Sequence, residues 1–178
     1  MQDKFSLDFF NLEGKVAIVT GGNTGIGMAY AEALAKAGAD LLVTSFDDNI
    51  NEIKEIVEGL GRKIVFVKGD LTKEECREEV ISKCLEEYSK IDILVNNAGT
   101  IRRAPLLDYK EEDWNAVMDI NLNAVYHLSQ KVARIMVEQN SGKIINIASM
   151  LSFQGGKFVP PYTASKHGVA GLTKAFAN

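Results

Sequence analysis

The sequence predicts an α/β fold, a doubly wound parallel sheet covered by helices on both faces. Three observations carry this. Short apolar, β-rich runs alternate with longer helical patterns along 178 residues. The runs are nearly continuous in apolar residues, as in strands buried on both faces. A glycine-rich stretch, TGGNTGIG (20–27), separates the first run from the first helical pattern.

The elements follow in order. KVAIVT (15–20) is a strand, and MAYAEALAKAGA (28–39) a helix ending near Gly38. LLVTS (41–45) is the second strand. NINEIKEIVEGLG (49–61) places Ile50, Ile53, Ile56, Val57 and Leu60 on one side of a charged amphipathic helix. KIVFVKGD (63–70) is the third strand. In the helix TKEECREEVISKCLEEYS (72–89), Thr72 as N-cap and Glu75 three residues on form a capping-box pattern. DILVNNAG (92–99) is a fourth strand running into a loop, and residues 111–139 read as one long helix. KIINIAS (143–149) is the fifth strand, followed by a loop bearing Gly and Phe and by a helix from about Pro161. Right-handed crossovers join such units. No repeat or linker interrupts them, so 1–178 reads as one domain.

Composition narrows the function. Hydrophobic residues make up 46% and charged residues 25%, with a formal net charge of −4. That balance argues against a nucleic-acid binder, which needs a basic footprint. No apolar run approaches a membrane span, and the N-terminal MQDKFSLDFFNLEGK lacks a signal-peptide pattern. A cytoplasmic location follows as the expectation. Cys76 and Cys84 share a helix, about 12 Å apart along its axis, too far for a disulfide. They read as reduced thiols. No histidine–cysteine cluster has metal spacing, and His127 and His167 show no acid or metal partner.

The loop TGGNTGIG has the strand–turn–helix context of a Rossmann-like dinucleotide site. Gly21 permits a tight turn, while Gly25 and Gly27 let backbone and helix approach a pyrophosphate. Asn23, Thr24 and Ile26 complete the loop, and the helix N-terminus offers free N–H groups. The second strand ends beside the expected adenosine ribose, where an acid holds the 2′-hydroxyl and an arginine favours a 2′-phosphate. Here Ser45 takes that place. The loop has no Lys or Arg and acids follow, which favours NAD over NADP. Asp47 and Asp48 are either ribose contacts or the N-cap region of the next helix.

Tyr162 and Lys166 share a helix face at i and i+4. Oxidising an alcohol requires removal of a hydroxyl proton as hydride leaves carbon, and a nearby ammonium favours the phenolate that would take it. Ser149 ends the fifth strand, at the edge where open α/β sheets place ligands.

Thr20–Gly27 as TGGNTGIG, Asn96–Gly99 as NNAG, and Ser149 thirteen residues before Tyr162-Thr-Ala-Ser-Lys166 together resemble the short-chain dehydrogenase/reductase family. The resemblance implies an NAD(P)-dependent oxidoreductase. In it Ser149 orients substrate, Tyr162 transfers the proton, Lys166 also holds the nicotinamide ribose, and Asn121 keeps a helix open for a relay water. Asp70 and Leu71 would contact adenine, and Asn97, Ala98 and Gly99 would line the adenosine side. Segments 96–109 and 146–178 are similar to family dehydrogenases of sugar acids from uronate breakdown, such as 2-dehydro-3-deoxy-D-gluconate. Arg102 and Arg103 could grip a carboxylate through paired hydrogen bonds, or could equally be solvated or face a subunit. Gln154 offers a further polar contact. Gluconate or polyol oxidation, or nucleotide binding without catalysis, are the alternatives.

The family also implies a homotetramer, and beyond the tyrosine helix a sixth and seventh strand with a substrate-covering region. These are absent from the 178 residues. The fold expected here is therefore C-terminally truncated, with about five strands and the fifth at a sheet edge. The polypeptide by itself is expected to be weakly active or inactive and poorly soluble.

Overall fold

The computed structural model describes residues 7–178; the first six residues of the N-terminal segment considered above lie outside them. Strands β1 (Val16–Thr20), β2 (Asp40–Ser45), β3 (Ile64–Lys68), β4 (Ile93–Asn96) and β5 (Lys143–Asn146) form one parallel sheet in the order β3-β2-β1-β4-β5. The fold is the expected Rossmann-like α/β arrangement, with β3 and β5 at the edges.

Alternate residues of β1 feed two cores, as the pleat requires. Val16 and Ile18 pack with Leu42 and Leu94 under Val80 and Cys84 of α3 (Glu74–Tyr88) and Leu128 and Val132 of α5 (Ala124–Glu138). Ala17 and Val19 pack with Leu41 and Val43 under Ala31 and Ala35 of α1 (Gly25–Lys36) and Ile53 and Val57 of α2 (Asn51–Gly59). Each large side chain fully buried in this way contributes about 1.5–3 kcal/mol. Burial on both sides is why the strands lack polar alternation.

The chain moves outward from β1 in both directions, since β1 pairs with β2 on one side and β4 on the other. The carboxyl ends of β1 and β4 therefore flank the crevice where open sheets bind ligands. Thr20–Gly21 and Asn96–Gly99 meet there.

Several boundaries depart from the sequence reading. Strand β5 stops at Asn146, so Ser149 does not end it but caps a short 3-10 turn, where its side chain accepts the Leu151 amide. Helix α1 begins at Gly25 rather than Met28, so the last loop glycines belong to its first turn. The capping box at Thr72 does not form. Asp70 Oδ1 accepts the Thr72 N–H at 2.9 Å in a local turn, and α3 starts at Glu74 with Lys73 as N-cap. The long helix 111–139 is α4 (Glu111–Met118), a π turn (Asp119–Asn123) and α5. Strand β4 stops at Asn96 because the next amides, Asn97 and Ala98, turn to Thr20 Oγ1 at 2.9 Å each. Helix α6 (Pro160–Ala177) opens with Pro160 and Pro161, whose missing N–H groups cost nothing in a first turn.

Cys76 and Cys84 are free and buried. Burial raises both thiols, Cys84 to about 12, because it disfavours the thiolate. Among the described residues no helix is long and apolar enough to cross a membrane, and no acid, His and Cys group could hold a metal.

Candidate active site

A cavity of about 740 Å³ opens at the carboxyl edge of the sheet. Gly21, Asn23, Thr24, Ile26 and Gly27 of the loop line it. Gly21 has φ +63°, a left-handed conformation that favours glycine. Gly27 is required for a different reason: a Cβ there would overlap Gly21 O and Asn97 Nδ2. Gly25, at φ +54°, makes the turn but does not line the cavity. Thr24 precedes α1 in extended conformation and its side chain makes no cap bond, so the first-turn amides keep their donor capacity.

Thr20 holds this loop to the opposite strand. Its buried hydroxyl donates to Val95 O at 3.3 Å and accepts from the Asn97 and Ala98 amides. Asn97 Nδ2 reaches back to Thr20 O and Gly21 O at 3.0 and 3.2 Å. Asn97, Ala98 and Gly99 line the cavity as a result.

Ser45, Asp70 and Leu71 line the wall of the cavity beyond β2 and β3. Buried Arg77 supports that wall from behind, donating from Nη1 to Leu71 O at 2.7 Å. Neither acid after β2 caps α2, whose N-cap is Ile50. Asp47 Oδ1 instead accepts from Asn23 Nδ2 at 2.6 Å, and Asp48 pairs with Lys68 at 2.9 Å.

The tyrosine helix forms a second cluster beside the cavity. Lys166 is 6% exposed, and its ammonium donates to Ile147 O at 2.6 Å. Nζ lies 5.7 Å from the centroid of the Tyr162 ring. Burial depresses the Lys166 pKa, because water no longer solvates the charge. Ser149 Oγ accepts the Leu151 N–H at 3.1 Å, which commits one lone pair and leaves its proton free. The loop after Ser149 is strapped to α6. Buried Ser152 accepts from the Ser149 amide at 3.2 Å and donates to Lys166 O at 2.7 Å, and Gly156 N donates to Thr163 Oγ1 at 3.3 Å. Phe158, at φ +65°, accepts from Ala104 N and ties this loop to the segment after NNAG.

Asn121 sits fully buried in the π turn. Its Oδ1 accepts from Thr100 N at 2.8 Å, and its Nδ2 donates to Thr100 O at 2.9 Å and Ser165 Oγ at 3.3 Å. This one side chain joins the NNAG exit, the π turn and α6.

The expected nucleotide residues except Gly25, Tyr162 and Lys166 thus surround one cavity, and the latter two lie on the adjoining helix. Arg102 also lines the cavity, with Nη1 on Thr100 Oγ1 at 3.1 Å and Nε 3.6 Å from Asp113 Oδ1. Arg103 and Gln154 are exposed and outside it. Sequence reasoning missed Thr20, Arg77 and Ser152 as supports. Of these only Thr20 carried a signal, by opening the glycine loop. The cradle closed at Gly27 and the uncapped α1 fit a pyrophosphate, and the lining as a whole fits a dinucleotide.

Comparison with known proteins agrees. The profile of the short chain dehydrogenase family matches residues 15–178. A 2-dehydro-3-deoxy-D-gluconate 5-dehydrogenase of Bacillus subtilis is 51% identical over 171 residues, 96% of this chain and 67% of its own length. An uncharacterized oxidoreductase of Escherichia coli, YgcW, is 47% identical over 98% of this chain and 67% of its own. Among solved structures, a candidate NAD(P)-dependent gluconate 5-dehydrogenase from Beutenbergia cavernae, with NADP bound at low occupancy, has a TM-score of 0.88 and 42% identity over 94% of this chain and 67% of that one. The chain spans about two-thirds of the length of these relatives.

Proposed function

The chain belongs to the short chain dehydrogenase family and is an oxidoreductase using a nicotinamide cofactor; from that premise we propose that it transfers a hydride between NAD, in preference to NADP, and a secondary alcohol or ketone of a sugar acid of the 2-dehydro-3-deoxy-D-gluconate class. One observation carries the reading. A buried lysine lies beside a tyrosine ring on α6, and Ser152 ties that helix to Ser149 next to the dinucleotide-shaped cavity.

The nicotinamide, when bound, supplies or takes the hydride. Tyr162 takes or returns the hydroxyl proton. Lys166 favours the phenolate through its positive charge, and the two Nζ protons not given to Ile147 are available to a ribose hydroxyl. Ser149, whose oxygen already accepts from Leu151, donates its own proton to the substrate oxygen. Asn121 spends its amide on Thr100 and Ser165 and holds the π turn in place, where the relay water would sit. Gly21, Asn23, Thr24, Gly25, Ile26 and Gly27 hold the pyrophosphate and adjoining ribose, and Ser45, Asp70, Leu71, Asn97, Ala98 and Gly99 the adenosine half. Arg102, facing the cavity, takes the substrate carboxylate, with Arg103 and Gln154 as outer contacts. The name of the relative at 51% identity supports the sugar-acid class. The absence of Lys and Arg from TGGNTGIG supports NAD, although a relative carries NADP.

We further read residues 7–178 as one unit, and the exposed Tyr126 and Val137 of α5 as contacts for a second copy in a homo-oligomer. The free thiols suit the cytoplasm.

The test is reduction of NAD and NADP by the protein with sugar acids and neutral polyols of equal length. The reading expects turnover with the acids, and its loss in Tyr162→Phe. Equal turnover of neutral polyols would remove the role of Arg102. Dinucleotide binding without any turnover would favour a non-catalytic nucleotide-binding protein.

A further inference from the structure

We infer that Asp47 dictates which end of the Asn23 amide faces the nucleotide, and that this makes the adenosine pocket select a ribose with free hydroxyls over one with a 2′-phosphate. The inference rests on the nucleotide-binding reading above and adds the residue pair that sets its selectivity.

Asn23 lies in the glycine loop, 3% exposed, and lines the cavity with Ser45. Its Nδ2 donates to Asp47 Oδ1 at 2.6 Å and to Asn49 O at 3.1 Å. A side-chain amide has two N–H donors, and both are spent on the segment after β2. Turning the amide over would set Oδ1 against a carboxylate and a carbonyl, both acceptors. The orientation is therefore dictated by its partners.

What remains for the cavity is Oδ1. Among the described residues no hydrogen bond is made to it. A carbonyl oxygen accepts from a ribose hydroxyl. Against a 2′-phosphate dianion, which has no proton to give, it meets acceptor with acceptor. Asp47 adds a negative charge behind it and is itself fixed by the Asn49 amide at 3.2 Å. Ser45 holds the strand-end place where an acid or an arginine would discriminate, but a hydroxyl can donate or accept and so serves either ribose. Lys68, on the rim of the adjoining pocket, is already paired with Asp48. Discrimination falls to Asn23, and Asp47 acts through it as a positioning residue.

The probes are ADP-ribose and 2′-phospho-ADP-ribose, titrated by calorimetry into the wild-type protein and into Asp47→Asn, Asp47→Ala and Asn23→Ala, with circular dichroism confirming each fold. Wild type is expected to bind ADP-ribose at least about tenfold more tightly. Asp47→Asn loses the charge but keeps an oxygen for Asn23 Nδ2, so it retains most of that ratio. Asp47→Ala leaves Asn49 O as the one acceptor holding the amide and shrinks the ratio by at least about threefold. Asn23→Ala weakens ADP-ribose and removes the preference. Equal binding by wild type would overturn the inference. So would an unchanged ratio in Asp47→Ala, or equal losses in the Asn and Ala variants, which would leave charge alone as the cause. Binding of neither probe by wild type would overturn the nucleotide reading itself.

Discussion

Replacing Ser152 by alanine tests the link between the two sides of the chemical cluster. The hydroxyl accepts from the Ser149 amide at 3.2 Å and donates to Lys166 O at 2.7 Å, inside a site only 5% exposed. Lys166 lies within α6, so its carbonyl also has the helical hydrogen bond of a residue four places on. The Ser149 amide has no such second partner in the turn. Two hydrogen bonds at about 0.5–1.5 kcal/mol each give an expected loss of roughly 1–3 kcal/mol. For a chain of this size about 2–4 °C of melting temperature accompanies each kcal/mol, so the shift is roughly 2–12 °C. Urea unfolding and calorimetry measure it, and amide exchange locates it. Ser149 and Leu151 amides should exchange faster in Ser152→Ala while those of β1 do not. Ser152→Thr, which keeps the hydroxyl, should recover much of the loss. A change below about 0.3 kcal/mol, with exchange at Ser149 unaltered, would refute the strap, because removal of a formed buried pair is not neutral.

Other expectations follow from the same contacts. Gly27→Ala should abolish ADP-ribose binding and cost about 1–3 kcal/mol, since the new methyl overlaps Gly21 O; Gly25→Ala has open space and should cost only the left-handed strain, about 1–2 kcal/mol, in a paired unfolding measurement. Asn121→Ala leaves the Thr100 amide and carbonyl without their side-chain partner, so a loss of about 2–4 kcal/mol is expected in urea unfolding. Lys166 has its folded pKa depressed by burial, so the unfolded chain binds the extra proton over the interval between the two pKa values. Stability relative to Lys166→Met should therefore rise with pH, beginning at the depressed folded pKa and levelling off near the unfolded value of about 10.4. Flat stability differences across that alkaline window would contradict the buried, charged amine.

The sheet was legible because its signal is dense. Every residue of β1 is buried, so VAIVT reads as a strand without reference to any partner. The glycine loop and the Tyr162–Lys166 spacing were legible because function fixes residue type and local interval together. The failures share one physical cause, competition by side chains distant in sequence or just outside a pattern. Thr72 reads as a cap, yet Asp70 captures its amide first. Residues 111–139 keep helical periodicity, and the π turn is accompanied by the grip of Asn121 on Thr100, 21 positions away, and on Ser165 of α6. Ser152 and Arg77 carry no signal in the sequence, because their partners are backbone amide and carbonyl groups, which no sequence spells out.

Those same hidden contacts explain how small polar side chains can specify a site. Asn23, Asn121, Ser149 and Ser152 each have more than one hydrogen-bonding function, so none would present a defined face if left free. Here most of those functions are spent within the protein. Asn23 gives both amide protons to Asp47 and Asn49 and keeps an oxygen. Ser149 gives a lone pair to Leu151 and keeps a proton. Ser152 and Asn121 place their hydrogen bonds on backbone groups and Ser165, and serve only to hold position. What remains unspent is one acceptor at the proposed adenosine ribose and one donor at the proposed substrate oxygen. The motif names the residues that touch ligand, but the polarity each one offers is set by neighbours outside it. Two proteins could therefore share TGGNTGIG and the Tyr162–Lys166 spacing and still choose different dinucleotides, if only one of them carries an acceptor at position 47.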